Sequence, residues 1–216
     1  MKSIAELKKI VIDRIESRKE EIIALGNDLL NTPELGYCEF KTAAKVKAEL
    51  EKLGLVCRTG LAVTGIRADI KCGKGEGPRI ALMGELDALP VPSHPFADKT
   101  TGAAHACGHH AQLTQMLAAA DALVPVVKEL SGSLSFIAVP AEEFQALAYC
   151  RKLIAEEKIA YCGGKPEFIR LGILDDIDKY SNTCRSLCIC CHSRVECGQG
   201  GETSSYLLGN LLPICR

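Results

Sequence analysis

The apolar positions of the first thirty residues recur largely at three-, four- and seven-residue spacings: Ile4, Leu7, Ile10, Val11, Ile15, Ile22, Ile23, Leu25, Leu29 and Leu30. That period predicts a long amphipathic helix with one face toward a core. Ser3 followed by Glu6 has the spacing of a capping box at its start, Gly26 predicts a break, and Pro33 an end. A second helix is predicted from Thr42 to Leu53, with Ala44, Val46, Ala48, Leu50 and Leu53 on its apolar side and Gly54 as its stop. The pattern then changes. GIRADIKC from Gly65 and RIALMGEL from Arg79 have strand character, and the turn-rich GKGEGP between them predicts a hairpin or two neighbouring strands. Cys107 to Val124 reads as a helix, SLSFIAVPA from Ser133 as a short buried strand, and Phe144 to Lys158 as another helix. Alternating elements of these lengths predict an α/β sandwich with a mixed central sheet.

After Asp178 no helical or strand period is sustained, and the chain is crowded with Cys, Ser and Gly. We therefore divide it into a folded part, 1–178, and a divergent cysteine-rich tail, 179–216. Of twelve cysteines, six fall in the first 183 residues and six in the last 33.

At 216 residues, 47% hydrophobic and 25% charged, the chain is long enough to bury a substantial core. A formal charge of −1 with no basic stripe and no Trp gives no support for a nucleic-acid partner, and a small molecule is the expected one. The charged N-terminal segment lacks the apolar region of a signal peptide, and no run approaches a membrane span. A cytoplasmic protein is expected, in which cysteines serve as thiols, metal ligands or catalytic groups more readily than as disulfides.

Three segments each follow a strand or turn with groups that could carry chemistry. They are GELDALP (84–90), HACGHH (105–110) and VPAEEF (139–144). Strand ends are where ligands gather in open α/β sheets, so the three are expected to converge. Glu85 and Asp87, two apart at a strand exit, share one face; alone they are equally consistent with turn formers. Cys107 and His109 flank a glycine, and a thiolate and an imidazole so placed can grip one divalent cation, zinc or a similar metal. His105 and His110 are candidates for orienting those ligands by hydrogen bonds. A nucleophilic Cys107 needs a distant base that no local context supplies. Glu142 and Glu143 leave a buried strand pointing different ways, which lets one bind a metal while the other faces the attacking water.

In this order, the three segments resemble the M20 family of metallopeptidases and amidohydrolases, in particular its N-acyl-amino-acid amidohydrolase branch. PELGYCEFKTAAKVKAELEKLGL (33–55) is similar to that branch's N-terminal helices, and the likeness covers roughly residues 1–178, the N-terminal part of a catalytic domain. The resemblance implies a zinc-peptidase-like fold and hydrolysis of the amide bond of N-acyl amino acids or short peptides. It also implies two divalent metal ions, zinc, manganese or cobalt. By position, it assigns Cys107, His109 and Glu143 as metal ligands and Glu142 as general base. It places Asp87 at the aspartate of the first metal motif, with Glu85 where other branches carry histidine and His110 where many relatives carry aspartate. A homodimer is implied for a full-length relative.

The family pattern also calls for two further histidine ligands and an inserted lid or dimerisation domain, in chains nearly twice this length. DDID (175–178) is present, but Thr183 and Cys184 stand where a histidine is expected, leaving only His192. The sixfold cysteine cluster could be a local zinc site of Cys188, Cys190, Cys191, His192 and Cys197, but its spacing fits no paired C-x-x-C pattern. A frameshift near codon 179 accounts better for the lost period, and gives a fragment of impaired activity with a disordered tail. The alternatives are a non-catalytic metal-binding or interaction module and, behind it, a thiol protein built on the tail. Translating all three forward frames of the source gene from codon 175 is expected to restore a histidine after DDID; no such frame removes the frameshift reading.

Overall fold

A computed structural model describes residues 2–182 of the chain. The N-terminal apolar stripe folds as two helices. α1 (Ile4–Ser17) begins at the expected capping box, with the Ser3 hydroxyl accepting from the Glu6 amide and the Glu6 carboxylate from the Ser3 amide. The break before α2 (Lys19–Leu30) lies at Arg18, not at Gly26. Arg14 and Arg18 both reach Asp121 of a later helix, at 2.9 and 3.3 Å, and the bend at Arg18 lets α1 and α2 both pack on that helix. Gly26 lies inside α2, where a Cβ would stand 3.2 Å from Thr114 Oγ1, so the absent side chain permits close packing. α3 (Phe40–Lys52) is capped from outside by Glu34, whose carboxylate accepts from the Lys41 and Thr42 amides and the Thr42 hydroxyl. It stops at Gly54, in the left-handed conformation with φ 78°.

Beyond α3 run β1 (Cys57–Leu61), β2 (Gly65–Lys71), β3 (Arg79–Glu85), a two-residue ribbon of β4 (Leu89–Pro90) and β5 (Ala103–Ala104), and α4 (His109–Leu123). A 3-10 turn over Val124–Glu129 leads to β6 (Ser133–Val139), α5 (Leu147–Ala155), α6 (Gly164–Arg170) and β7 (Lys179–Asn182). The main sheet is mixed, in the order β1-β2-β6-β3-β7. β2 and β3 are thus neither a hairpin nor neighbours, because β6 lies between them, antiparallel to β2 and parallel to β3. The glycine-rich turn after β2 explains this. Its Cys72, Gly73 and Lys74 amides donate to carbonyls of Gly132, Val127 and Leu130, so the chain leaving β2 is held by the chain entering β6.

Alternation along the central strands builds two cores. Ile80, Leu82, Leu134 and Phe136 face Val11, Leu29, Val46, Leu50 and Met116 of the layer made by α1 to α4. Ala81, Met83, Ile137 and Val139 face Leu153 and Phe168 of α5 and α6. This is the expected α/β sandwich. β7 pairs in parallel with β3, so the sheet continues four residues past Asp178. The cysteine cluster at 184–216 and the readings attached to it lie outside the described residues.

The expectation of thiols fails for one pair. Cys150 on α5 and Cys162 ahead of α6 have Cα atoms 5.5 Å apart and form a disulfide. Among the described residues no helix is long and apolar enough to cross a membrane.

Arg67 on β2, with its side chain 2% exposed, joins the sheet to the loop before β7. Its guanidinium donates to both Asp176 carboxylate oxygens at 2.7 and 2.8 Å, to Asp69 at 2.9 Å and to the Ile173 carbonyl. Removing the guanidinium leaves the partly exposed Asp69 and Asp176 carboxylates to water, but strands the Ile173 carbonyl. Arg67→Met is expected to lower the unfolding free energy by about 2 kcal/mol in urea titrations, the cost of a lost buried hydrogen bond and its packing; a loss under about 1 kcal/mol would place these pairs with ordinary surface ones.

Candidate metal centre

The parallel register of β3 and β6 sets Glu85 beside Val139, so both strands deliver their acidic exits to the same end of the sheet. β3 runs close under α4: a Cβ on Gly84 would come 2.9 Å from the Leu113 side chain. The chain past β3 stays tethered, with the Leu86 amide donating to Val139 O and the Ala88 amide to Glu34 O. Glu85 and Asp87 are consequently buried, at 2% and 1% exposure. At the start of α4, Gly108 takes φ 98°, a conformation that suits glycine, and turns the chain so that His109 is the first helical residue.

His109 is the centre of the arrangement. Its Nδ1 lies 2.8 Å from the Asp87 main-chain carbonyl and 3.1 Å from Asp87 Oδ1. A carbonyl only accepts, so Nδ1 carries a proton. Nε2 then points into a ring of carboxylates: Glu85 Oε2 at 2.9 Å, Glu143 Oε1 at 3.6 Å and Glu142 Oε2 at 3.9 Å. The Glu85 contact has the distance of an ion pair but not the alignment of a hydrogen bond. Burial lowers the imidazole pKa, but Asp87 and Glu85 outweigh it and raise it to about 10. Burial in turn raises Glu85, and His109 and Lys165 reverse that, holding it at about 2.

These groups suit a cation. Cys107, His109 and Glu143 can each offer a ligand atom within 4.8 Å of the others, and so can Glu85, His109 and Glu142. His109 Nε2 and Asp87 Oδ1 are buried without a hydrogen-bond partner, which is costly unless something else meets them. Thiolate, imidazole and carboxylate together form a donor set for a transition metal such as zinc. The Nδ1–H held by a carbonyl is the arrangement that fixes a ligating imidazole and leaves Nε2 free to bind.

All five sequence-predicted site residues, Asp87, Cys107, His109, Glu142 and Glu143, converge here. His105 and His110 do not orient the ligands by hydrogen bonding. Their rings pack on each other at 5.3 Å, both nitrogens of the buried His105 lack a hydrogen-bond partner, and burial, then His110, lowers His105 to about 3. The orienting group is Asp87.

Two residues were missed from sequence. Lys165 of α6 donates to Glu85 and Glu142. Glu39, fully buried ahead of α3, accepts the Thr64 hydroxyl at 2.6 Å and the Ala141 amide at 2.8 Å. Ala141 has φ 46°, and the Glu143 amide donates to Asp87 Oδ2 at 2.9 Å. Carboxylates thus grip both sides of Glu142. Gly36 makes room for this bend, since a Cβ there would stand 2.9 Å from Ala141 Cβ. The only sequence signal for Glu39 was its place in the segment PELGYCEF.

Residues 81–179 match the profile of Peptidase family M20/M25/M40. YhaA of Bacillus subtilis (strain 168), named an amidohydrolase, is 32% identical over 82% of this chain and 41% of its own length. The IAA-amino acid hydrolase ILR1-like 5 of Arabidopsis thaliana is 37% identical over 56% of this chain and 28% of its own. Among solved structures, the Bacillus subtilis YxeP protein, described as a dinuclear metal binding peptidase from the M20 family, superposes with a TM-score of 0.62. It is 30% identical over 76% of this chain and 42% of its own. The chain thus spans less than half the length of these relatives.

The Glu39 clamp carries a pH signature. Burial raises this carboxyl from 4.5 to about 7 against the bonds from Thr64 and Ala141. A raised folded pKa gives stability that is fully present below about pH 4.5 and lost as pH rises through about 7. Glu39→Gln does not titrate; its amide oxygen can accept from the Ala141 amide while its NH2 donates to the Thr64 hydroxyl, which turns to accept. Relative to the variant, the wild type is expected to be roughly 2 kcal/mol less stable at about pH 8.5 than at about pH 5 in urea unfolding; a difference independent of pH counts against it.

Proposed function

We propose that this chain, whose residues 81–179 match peptidase family M20/M25/M40, works as a metal-dependent amide hydrolase acting on N-acyl amino acids or short peptides. The observation that carries this reading is His109, whose Nε2 faces Glu85, Glu142 and Glu143 within 3.9 Å while Asp87 holds its Nδ1. The named relatives fit the substrate class, one being an IAA-amino acid hydrolase and another a peptidase.

In this reading Cys107, His109 and Glu143 hold a divalent cation of a two-metal centre, with zinc, manganese or cobalt as candidates. Such a cation, when bound, polarises a carbonyl and lowers the pKa of water. Asp87 acts through its neighbours, fixing the His109 ring by its carbonyl and the Glu143 backbone by its carboxylate. Glu142 is left as the base. Its Oε1 is held by Lys165 at 3.0 Å, while Oε2 faces the centre. Oε2 takes the proton of the attacking water and returns it to the leaving nitrogen.

The test uses the full chain, loaded in turn with zinc, manganese or cobalt, against a panel of N-acyl amino acids. Glu142→Ala is expected to cut hydrolysis by about a hundredfold or more while metal stoichiometry stays the same. Equal hydrolysis by the variant removes Glu142 as base. A wild-type chain that binds metal but cleaves nothing favours the non-catalytic metal-binding module instead.

A further inference from the structure

Glu142 is not held by its own strand alone. α6 opens with the sequence GGKPE (163–167), and at Gly164 the neighbouring backbone leaves no room for a side chain. A Cβ on Gly164 would overlap the Pro140 carbonyl oxygen, while one on Gly163 would meet only the tip of the exposed Phe144 ring. The Gly164 amide also donates to Ala141 O at 3.3 Å. The helix start is therefore pressed onto the turn that carries Glu142 and Glu143.

The next residue, Lys165, uses that approach. Its Nζ donates to Glu85 Oε1 at 2.5 Å and to Glu142 Oε1 at 3.0 Å. The segment ahead of it is fixed as well. Glu167, fully buried, accepts from the Ala160 and Tyr161 amides, and the Tyr37 hydroxyl donates to Tyr161 O at 2.7 Å. Cys162 is bonded to α5. The ammonium thus arrives on a built scaffold, and it lands on two members of the Glu85, His109 and Glu142 set that could hold a cation.

We propose that Lys165 is a positioning residue of the metal centre, anchored on Glu85, holding one oxygen of Glu142 and offsetting the negative charge that an incoming divalent cation meets. The proposal rests on the metal-centre part of the reading above. It has a directional consequence that a scaffold role lacks. A fixed positive charge beside a cation site repels the cation, so Lys165 lowers metal affinity in exchange for a fixed Glu142. Loss of a lysine needed only for packing would loosen the site and weaken metal binding.

Cobalt titrations of the full metal-free chain by calorimetry separate the two. Lys165→Met, which keeps most of the stem and removes the charge, is expected to bind cobalt on the order of tenfold more tightly. Lys165→Arg is expected to bind like the wild type. Unchanged or weaker binding by Lys165→Met overturns the role of Lys165. Should that variant fail to fold, the neutral pair Glu85→Gln/Lys165→Met carries the test, with affinity within about threefold of wild type in support and a larger loss against. Absence of binding in every variant, wild type included, overturns the metal centre itself. Hydrolysis takes no part in the titration, so the Glu142 assay stands or falls separately.

Discussion

Burying negative charge is the constraint on which this structure turns. Glu85 and Asp87 are almost wholly shielded from water, and Glu142 and Glu143 converge on the same imidazole. Ionised carboxylates so placed need partners. The fold supplies them from every side: the His109 ring from α4, the Lys165 ammonium from α6, and the Glu143 amide from the turn itself. Under the proposed reading, a divalent cation held by Cys107, His109 and Glu143 would be one more such partner for the same oxygens.

Much of this was legible in the sequence because it is periodic or local. The alternation in RIALMGEL and SLSFIAV marked the central strands, Ser3 and Glu6 marked the first helix start, and three short segments marked the site. The strand order was not legible, since the turn after β2 gives no sign that its amides pair with a segment more than fifty residues later. The break at Arg18 was hidden because what it accommodates, the packing of α1 and α2 on α4 around Asp121, lies far along the chain. Gly26 looked like that break, but a glycine inside a helix can equally mark a close neighbour. Lys165 and Glu39 escaped for a related reason. A single lysine after two glycines, or a single glutamate before a helix, takes on meaning only when the fold shows what it touches.

His105 shows where spacing misleads. Histidines clustered within six residues suggested a set of cooperating ligand supports, yet a helix start sends neighbouring side chains to different sides. His109 entered the carboxylate ring, while His105 and His110 packed against each other outside it. The support for the ligand came from Asp87, reached across the sheet end.

The contacts that build the centre span long stretches of chain. Asp87 and Glu143 are 56 residues apart, Lys165 and Glu85 are 80 apart, and Glu39 and Ala141 are 102 apart. Each closes a long loop whose entropy must be lost before the contact gives anything back, the condition that makes folding slow. A nascent chain that has made α1 to α4 and β3 therefore holds Cys107 and His109 but neither glutamate of the turn. It cannot bring those glutamates to His109 until β6 has paired between β2 and β3. Under the proposed reading, a cation would meet the Cys107, His109 and Glu143 donors together only once that strand is in place, and α6 would then add Lys165 to a site already formed.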